Sequence, residues 1–222
     1  MSDYERRIRK ALSRDAKDHI WRIGADIPES LIATSYPNPP SIPAGEERPP
    51  PKIEVVGEDP MDVALGCIPA IPVVNMAHKG RPGGDWETGS MVFRNWDSWD
   101  LWGSYKTLSV ISVAPERNPY LDISKTRYSF DLERTRMRAN IRTILRIAAV
   151  HGHKELCAGT FGVGPGYHHP AAEIATMWAE VLSEDEFRSA FTKVIFAIKG
   201  CATDVGGKGI LEAFQEKFSN QA

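Results

Sequence analysis

The sequence has few of the features that membrane proteins, disulfide scaffolds and nucleic-acid-binding domains share. No run of about 18 consecutive apolar residues occurs, so no segment is predicted to span a bilayer as a helix. The formal net charge is only -2, which excludes general attraction to nucleic acid or to an anionic membrane. The first residues, MSDYERRIRKALSRD, are charged throughout and lack the apolar core of a signal peptide.

Cysteine is scarce as well. The three cysteines, Cys67, Cys157 and Cys201, are widely spaced and form no CxxC pair, which favours reduced thiols over disulfides or a zinc site. The adjacent His168 and His169 have no carboxylate or thiol at ligand spacing, so neither a metal nor another cofactor is expected. These absences together predict a soluble protein of the cytoplasm or nucleus.

The composition that remains is that of an ordinary globular protein, with 42% hydrophobic and 25% charged residues. Residues 1–51 read as an amphipathic helix followed by an extended arm, because the stretch SYPNPPSIPAGEERPPP is too rich in proline for a helix or a central strand. Residues 52–222 are predicted to form the globular domain. The sequence therefore predicts one domain with an N-terminal appendage.

Short apolar runs alternate with amphipathic segments over residues 52–222. The predicted strands are KIEVV, IPAIPVVN, LSVISVAP, ELCAGTF and KVIFAI, and the predicted helices are DPMDVALGC, LERTRMRANIRTILRIAAVHGH, PAAEIATMWAEVL and KGILEAFQEKF. In the long helix, one apolar face is assigned to Leu132, Met137, Ile141, Ile144, Leu145 and Ala148. Continuous apolar strands that alternate with helices are typical of parallel sheets covered on both faces. The predicted fold class is α/β, a three-layer α/β/α sandwich with a mixed, mostly parallel sheet.

Two glycine-rich segments follow predicted strands. One is NMAHKGRPGGDWETGS, from Asn75 to Ser90, and the other is GTFGVGPGYHHPAAEIATMW. Successive amides in such turns can form an anion-binding nest, and two nests at neighbouring strand ends suit a diphosphate. Neither GxGxxG after the first strand nor GxxxxGK[ST] is present, which excludes a dinucleotide-binding Rossmann site and a P-loop. Ordinary turns remain the alternative interpretation.

The succession of KIEVVGEDPMDVAL, IPVVNMAHKGRPGGDW, the long segment RTILRIAAVHGHKELCAGTFGVGPGYHHPAAEIATMWAEVL and FTKVIFAIKG resembles macrodomains. In particular it resembles the microbial-type poly(ADP-ribose) glycohydrolase branch found in fungi and bacteria. The resemblance runs from Lys52 to Gly200. It implies a sheet between helices, with an ADP-ribose cleft at the strand ends, and a ligand that is ADP-ribose or an ADP-ribosylated protein.

The resemblance assigns a role to several residues. Asn75 matches an asparagine that hydrogen-bonds the distal ribose, and Asp59 lies where an aspartate accepts from the adenine amine. Gly83 and Gly84 match the first two glycines of the loop near the ribose. The expected diphosphate loop comprises Phe161, Gly162, Val163, Gly164, Pro165 and Gly166. Tyr167 is a candidate to lie over the ligand or to pack on the next helix, and Phe196 is a weaker candidate contact.

The sequence departs from the family's hydrolases at the catalytic motif. Those enzymes follow the glycines with Gln-Glu-Glu, whose second carboxylate is the general acid, whereas this chain has Phe93, Arg94 and Asn95 there. Asp85 and Glu87 are the candidate substitutes, and both also suit solvated loop carboxylates. His78 replaces the second asparagine of the loop. Lys79 or Arg81 would have to offset the negative charge of Asp85 near a diphosphate.

Three functional predictions follow. The first is an ADP-ribose-binding macrodomain with weak or no glycohydrolase activity. The second is an active ADP-ribosyl hydrolase that uses Asp85 or Glu87 as acid or base. The third is a protein-interaction scaffold with a decayed cleft and a tryptophan-rich binding surface. The cluster of Trp86, Trp96, Trp99 and Trp102 suits such a surface or a platform for a base, and the alternative is that these rings fill a satellite core.

Overall fold

The computed structural model describes residues 7, 11, 34–42, 49–80, 108–164, 166–200 and 202–219. The chain divides into two compact units. One comprises Met1–Pro37 and Ala77–Tyr105, and the other comprises Asn38–Met76 and Lys106–Ala222. Arg7 and Ala11 of the first unit are helical, and the rest of the predicted N-terminal helix lies outside the described residues. The predicted boundary between residues 51 and 52 is not one of the positions at which these two units meet. That boundary stays a prediction.

Every strand and helix described below belongs to the second unit. Its elements, in chain order, are β1 (Lys52–Val56), α1 (Pro60–Gly66), β2 (Val73–Met76), β3 (Val110–Val113), α2 (Asp131–Val150), β4 (Glu155–Ala158), α3 (Ala171–Leu182), α4 (Asp185–Arg188), β5 (Lys193–Ala197) and α5 (Ile210–Phe218). Each predicted strand and helix of this region is present. The four-residue helix α4 was not predicted from the sequence.

The five described strands form one sheet in the order β1-β5-β4-β2-β3. Every neighbouring pair is parallel, for example Val55 opposite Phe196 and Val74 opposite Ile111. The predicted α/β class with a mostly parallel sheet is confirmed, and this part of the chain contributes only parallel pairs to it.

The two faces of the sheet bury different side chains, because successive residues of a strand point to opposite sides. On one face, Leu156, Val194 and Phe196 pack with the buried residues of α2, α3 and α5. On the other face, Cys157 and Ile195 pack with Ala64 of α1. The sheet therefore lies between α1 and a layer of three helices, which confirms the predicted three-layer arrangement.

The long helix α2 shows what apolar spacing predicts well and where it fails. The predicted core residues Met137, Ile141, Ile144, Leu145 and Ala148 are all buried. Leu132 is the exception, with 59% of its surface exposed. It precedes Met137 by five positions, which at 3.6 residues per turn is about 140° away from the buried face. Leu132 therefore faces solvent in the first turn.

Helix α2 also carries a row of arginines at every fourth position, Arg134, Arg138, Arg142 and Arg146, which we call the arginine ladder. Their ion-pair partners on α3 and α4 or between them are Glu173, Glu180, Glu184 and Glu186. The shortest contact joins Arg146 Nε to Glu186 Oε1 at 2.6 Å. Contacts of 2.7 Å join Arg142 Nη2 to Glu184 Oε1 and Arg134 Nη2 to Glu180 Oε1. The ladder ties α2 to the next two helices along one edge of the layer.

The cysteines that the structure describes are free thiols. Cys67 is half-buried and Cys157 is fully buried in β4. Burial raises the pKa of the Cys157 thiol to about 12, and the nearby Cys67 and Asp59 act in the same direction. Cys201 lies outside the described residues. No described helix is both long enough and apolar enough to cross a membrane.

Candidate functional site

The carboxyl ends of β2 and β4 lie side by side in the sheet. From there the chain proceeds in opposite directions, because β2 is followed by its neighbour β3 and β4 is followed by β5 on the other side. Such a reversal of strand order opens a crevice in which parallel α/β sheets bind ligands. The segment that follows β4, Gly159 to His169, is called the glycine loop below; Pro165 lies outside the described residues.

Positive backbone φ angles dominate the glycine loop. Gly162, Gly164 and Gly166 have φ of 84°, 111° and 91°, and His168 has φ of 62°. Glycine adopts such angles without the steric cost that other residues carry. The loop closes on itself through hydrogen bonds from Val163 N to Thr160 O at 2.7 Å and from His168 N to Gly164 O at 3.2 Å. The three glycines are therefore required by the path of the backbone.

Two amides in the second half of the loop, those of Gly164 and Gly166, are of particular interest. Within the described residues, the N–H groups of Gly164 and Gly166 have no hydrogen-bond acceptor. A Cβ placed on Gly164 would meet no heavy atom within 4 Å, so the space beside this residue is open. Open space next to unpaired backbone donors is the arrangement that binds an anion. The loop can thus receive a phosphate or a similar group at its outer edge.

The base of the loop is packed tightly, in contrast to its edge. Gly162 N donates to Met76 Sδ at the end of β2, at 3.2 Å. A Cβ on Gly162 would lie 2.4 Å from Met137 Cε and 3.3 Å from His169 Cδ2. The side chains of Phe161 and Val163 are buried. These two residues can therefore offer a ligand only their main-chain atoms.

A chain of buried hydrogen bonds through His169 fixes the end of the glycine loop. His169 is fully buried, and its Nε2 lies 2.8 Å from the carbonyl oxygen of Glu116, which can only accept a hydrogen bond. Nε2 therefore carries the proton, and Nδ1 accepts from the Tyr128 hydroxyl at 2.6 Å. Burial lowers the pKa of His169. Burial, aided by the charge of Glu173, raises the pKa of Tyr128. His169 is a neutral structural residue at this position.

Three other candidate residues take part in local contacts. Asp59 caps helix α1, and its Oδ1 accepts from Met61 N at 2.9 Å. Asn75 lies near the carboxyl end of β2 and donates from Nδ2 to Ser112 Oγ at 3.1 Å. Phe196 has no exposed surface and stacks on Phe218, with ring centroids 4.9 Å apart. The adenine and ribose contacts of Asp59 and Asn75 stay predictions, and the packing of Phe196 does not favour its predicted ligand contact.

Tyr167 lies at the junction between the glycine loop and the segment after β3. Its side chain is buried, and the guanidinium carbon of Arg117 lies 5.0 Å from the centre of its ring. Its carbonyl oxygen accepts from Asn118 N at 2.9 Å. Next to it, His168 Nδ1 lies 2.6 Å from Asn118 Oδ1. The segment 116–118 is therefore fastened to the loop at several points.

The N-terminus of α3, which follows the loop, is already occupied. Its capping residue Pro170 has no side-chain donor or acceptor, and Asp204 Oδ2 accepts from Ala171 N at 2.9 Å instead. The other oxygen, Asp204 Oδ1, accepts from Gly206 N and Lys208 N at 2.9 and 3.0 Å. A carboxylate of the protein thus sits where the helix dipole would favour an anion. Anion binding at this site depends on the loop amides.

Several predicted site residues lie outside the described residues: Gly83, Gly84, Asp85, Glu87 and Pro165. Arg81 and the four tryptophans from Trp86 to Trp102 lie there as well. His78 and Lys79 are described and belong to the first unit, where Gly80 N donates to His78 Nδ1 at 3.1 Å. The roles of Asp85 and Glu87 as acid or base therefore stay predictions. Within the described residues no group of three or more His, Cys, Asp and Glu side chains could hold a metal.

The sequence interpretation missed Arg117, Tyr128 and Asp204. A signal existed for Asp204, because Asp-Val-Gly-Gly is a typical Asx-turn sequence and α3 begins without a capping side chain of its own. Nothing in the local pattern around Arg117 or Tyr128 indicates their partners, which are 50 and 41 positions away in the chain.

No protein-family model matches the chain, and no curated protein sequence does either. Several solved structures, in contrast, match the fold of the chain. Poly(ADP-ribose) glycohydrolase from Thermomonospora curvata superposes with a TM-score of 0.60 at 18% identity, over 79% of this chain and 80% of that one. The enzyme from Deinococcus radiodurans, crystallised in complex with ADP-ribose, superposes with a TM-score of 0.59 at 18% identity, over 77% and 85%. The chain therefore has the macrodomain-like α/β/α fold of these two glycohydrolases, at an identity that establishes the fold alone.

Proposed function

We propose that the protein binds ADP-ribose, free or attached to a protein, with the diphosphate at the glycine loop. The proposal rests on the amides of Gly164 and Gly166, which have no acceptor in the described part of the chain, and on the open space beside Gly164, at the switch point of the sheet. The fold supports it, because the Deinococcus enzyme has been crystallised with ADP-ribose and the Thermomonospora enzyme with the inhibitor ADP-HPD.

The orientation of the ligand follows from the resemblance and the sheet. Asp59, which caps α1 just after β1, would face the adenine, and Asn75 near the end of β2 would face the distal ribose. Strand β4, which leads into the glycine loop, lies between these two positions in the order β1-β5-β4-β2. A diphosphate at the loop would thus connect an adenosine on one side to a ribose on the other. Tyr167 would support the loop through its main chain.

Catalysis by the usual route is not expected, because Phe93, Arg94 and Asn95 stand where the hydrolases have Gln-Glu-Glu. Loss of a general acid alone lowers a rate by about a hundred- to ten-thousand-fold. We therefore propose a reader of ADP-ribose rather than an efficient hydrolase. An active hydrolase that uses Asp85 or Glu87 is the second candidate, favoured by the carboxylates directly after Gly84. Residence in the cytoplasm or nucleus, and the fungal or bacterial branch, stay predictions.

Calorimetric titration with ADP-ribose tests binding. Gly164→Ala should weaken it strongly, because a methyl group would project into the open space and strain a backbone with φ of 111°. Gly152→Ala is the matched control, since Gly152 also has positive φ, 77°, and no heavy atom within 4 Å, but follows α2 away from the loop. Absence of heat at millimolar ADP-ribose would contradict the proposed binding. Equal losses of affinity in both variants would show that the glycine loop is not the binding site.

A turnover assay separates the reader from the hydrolase. The protein is incubated with mono- and poly-ADP-ribosylated proteins, and released ADP-ribose is measured. No release is expected; release that disappears in Asp85→Ala or Glu87→Ala would establish the hydrolase instead. A scaffold with a decayed cleft would show no thermal stabilisation by any ADP-ribose derivative, whereas a true ligand at a hundred times its Kd adds about 2.7 kcal/mol to the free energy of unfolding.

A further inference from the structure

A diphosphate carries full negative charge, and the glycine loop alone offers only the partial charges of amide dipoles. The protein has a net charge of -2, so it provides no general attraction for an anion. The N-terminus of α3 does not supply the missing charge either, because the Asp204 carboxylate accepts from Ala171 N there. A cation delivered by another part of the chain would therefore strengthen the binding of a diphosphate at this loop.

Arg117 is held beside the loop by its neighbours in sequence. Glu116 O accepts from His169 Nε2 at 2.8 Å, and Asn118 N donates to Tyr167 O at 2.9 Å. Both bonds join segment 116–118 to the end of the glycine loop, so the backbone on either side of Arg117 is fixed. A side chain that starts from a fixed backbone loses less freedom when it binds a ligand.

The guanidinium itself is also positioned. Its carbon lies 5.0 Å from the centre of the Tyr167 ring, which is a cation–π distance. Its Nη2 lies 3.7 Å from the point where a Cβ on Gly166 would stand. Gly166 is one of the two residues whose amide has no acceptor within the described part of the chain. A planar guanidinium with several donors thus lies next to an unpaired backbone donor, and both can bind the same phosphate oxygens.

We propose that Arg117 is the cation that binds the diphosphate at the glycine loop and that it selects for ligands carrying this group. The inference rests on the proposed ADP-ribose function and adds a residue that the sequence motifs do not contain. Tyr167 acts as a positioning residue, since its ring holds the guanidinium and its carbonyl holds the adjacent backbone.

The test compares two ligands on four proteins. ADP-ribose and adenosine, which lacks the diphosphate, are titrated against the wild type, Arg117→Ala, Arg117→Lys and Arg127→Ala. Arg127 is an exposed arginine of the same connection between β3 and α2, so its variant controls for the loss of one positive charge. Thermal unfolding of each variant establishes that it is folded.

We expect Arg117→Ala to weaken ADP-ribose binding by about 10- to 100-fold, the range of a hydrogen-bonded charge pair, and to leave adenosine binding unchanged. Arg117→Lys should recover part of the loss, because lysine restores the charge without the planar fork. Arg127→Ala should change neither affinity by more than about twofold.

Two results would overturn the assignment of Arg117. One is unchanged ADP-ribose affinity in Arg117→Ala, and the other is an equal loss for adenosine, which would indicate a collapsed loop instead of a lost charge. A wild-type protein that binds no ADP-ribose would have a different meaning, since it refutes the proposed function before Arg117 is tested.

Discussion

The arginine ladder and the glycine loop belong to the same group of elements and use polar groups in opposite ways. In the ladder, every arginine of the row is paired with a glutamate of the same protein, and Glu180 and Glu184 each receive two arginines. In the glycine loop, the amides of Gly164 and Gly166 have no acceptor in the described residues. Every charge of the ladder thus has a partner within the protein, although Arg138 Nε and Glu180 Oε2 make no hydrogen bond. The two loop amides have neither a charge partner nor an acceptor in the described part of the chain.

Backbone conformation differs between the two regions as well. Helix α2 has regular geometry over 20 residues, whereas four residues of the loop have positive φ. Positive φ and unpaired donors both cost free energy, and proteins retain them where a ligand gains from them. Charge density by itself therefore does not mark a site. Unpaired main-chain donors on a fixed backbone are the more informative sign.

Among the variants that distinguish the glycine loop from the arginine ladder, Gly162→Ala is expected to cause the largest loss of stability. The new Cβ would lie 2.4 Å from Met137 Cε, and φ of 84° adds backbone strain. Left-handed strain, together with the displacement of the flexible end of Met137, should lower the free energy of unfolding by about 1–3 kcal/mol. Chemical denaturation measures it, with Gly164→Ala as the control that has strain but no overlap. Equal losses of stability in the two variants would show that the contact between residue 162 and Met137 does not contribute to the effect.

A smaller effect should appear in the pH dependence of stability, through His169. Because burial lowers its pKa in the folded protein, the unfolded chain binds more protons below the ordinary histidine value of 6.5. This contribution to stability is therefore present above pH 6.5 and lost as the pH falls further. The slope for a single proton is at most about 1.4 kcal/mol per pH unit. We expect His169→Gln to flatten the decline between pH 7.5 and 5.5, as followed by urea denaturation.

His153 provides the control for that measurement, since burial and the charge of His151 also lower its pKa. His153→Gln should remove only its own part of the slope and retain the part that depends on His169. A decline in His169→Gln that matches the wild type would contradict a neutral His169 at the end of the glycine loop.

The smallest change in stability is expected for substitutions in the arginine ladder. Burial acts to raise the pKa of Glu184, but the hydrogen bonds and charges of Arg142 and Arg138 outweigh it and lower the pKa below the ordinary 4.5. Glu184→Gln should lower the free energy of unfolding by about 1 kcal/mol at pH 7, since the ion pairs of Glu184 with Arg138 and Arg142 are partly exposed. The difference from wild type should vanish as the pH falls below 4.5 through the lowered pKa. Asp185→Asn, at a carboxylate that is 95% exposed, should change stability by less than about 0.5 kcal/mol.

Most of the fold could be predicted because each strand of a covered parallel sheet is a continuous apolar run. KVIFAI and ELCAGTF needed no knowledge of their neighbours to be identified as strands. The order β1-β5-β4-β2-β3 did not follow from periodicity, since pairing depends on contacts between distant residues. Helix α4 was missed because its four residues are too few to show a period.

For the candidate site, the sequence indicated the loop and its glycines but not the groups around them. Glycine at positions 162, 164 and 166 is a local signal for positive φ, and the structure has it at all three. Arg117 and Tyr128 reach the loop from the connection between β3 and α2, which no local pattern connects with residues 167–169. Side-chain partners of this kind are fixed by the tertiary fold, so they become visible only with coordinates.

The contact between Asp204 and Ala171 N joins the start of α3 to a turn that lies 33 positions later in the chain. All residues of the glycine loop precede that turn. A shortened chain that ends at β5 would therefore retain every loop residue and still lack the cap of the helix that follows the loop. During synthesis, too, this helix end can be completed only after the segment around residue 204 has emerged and folded back.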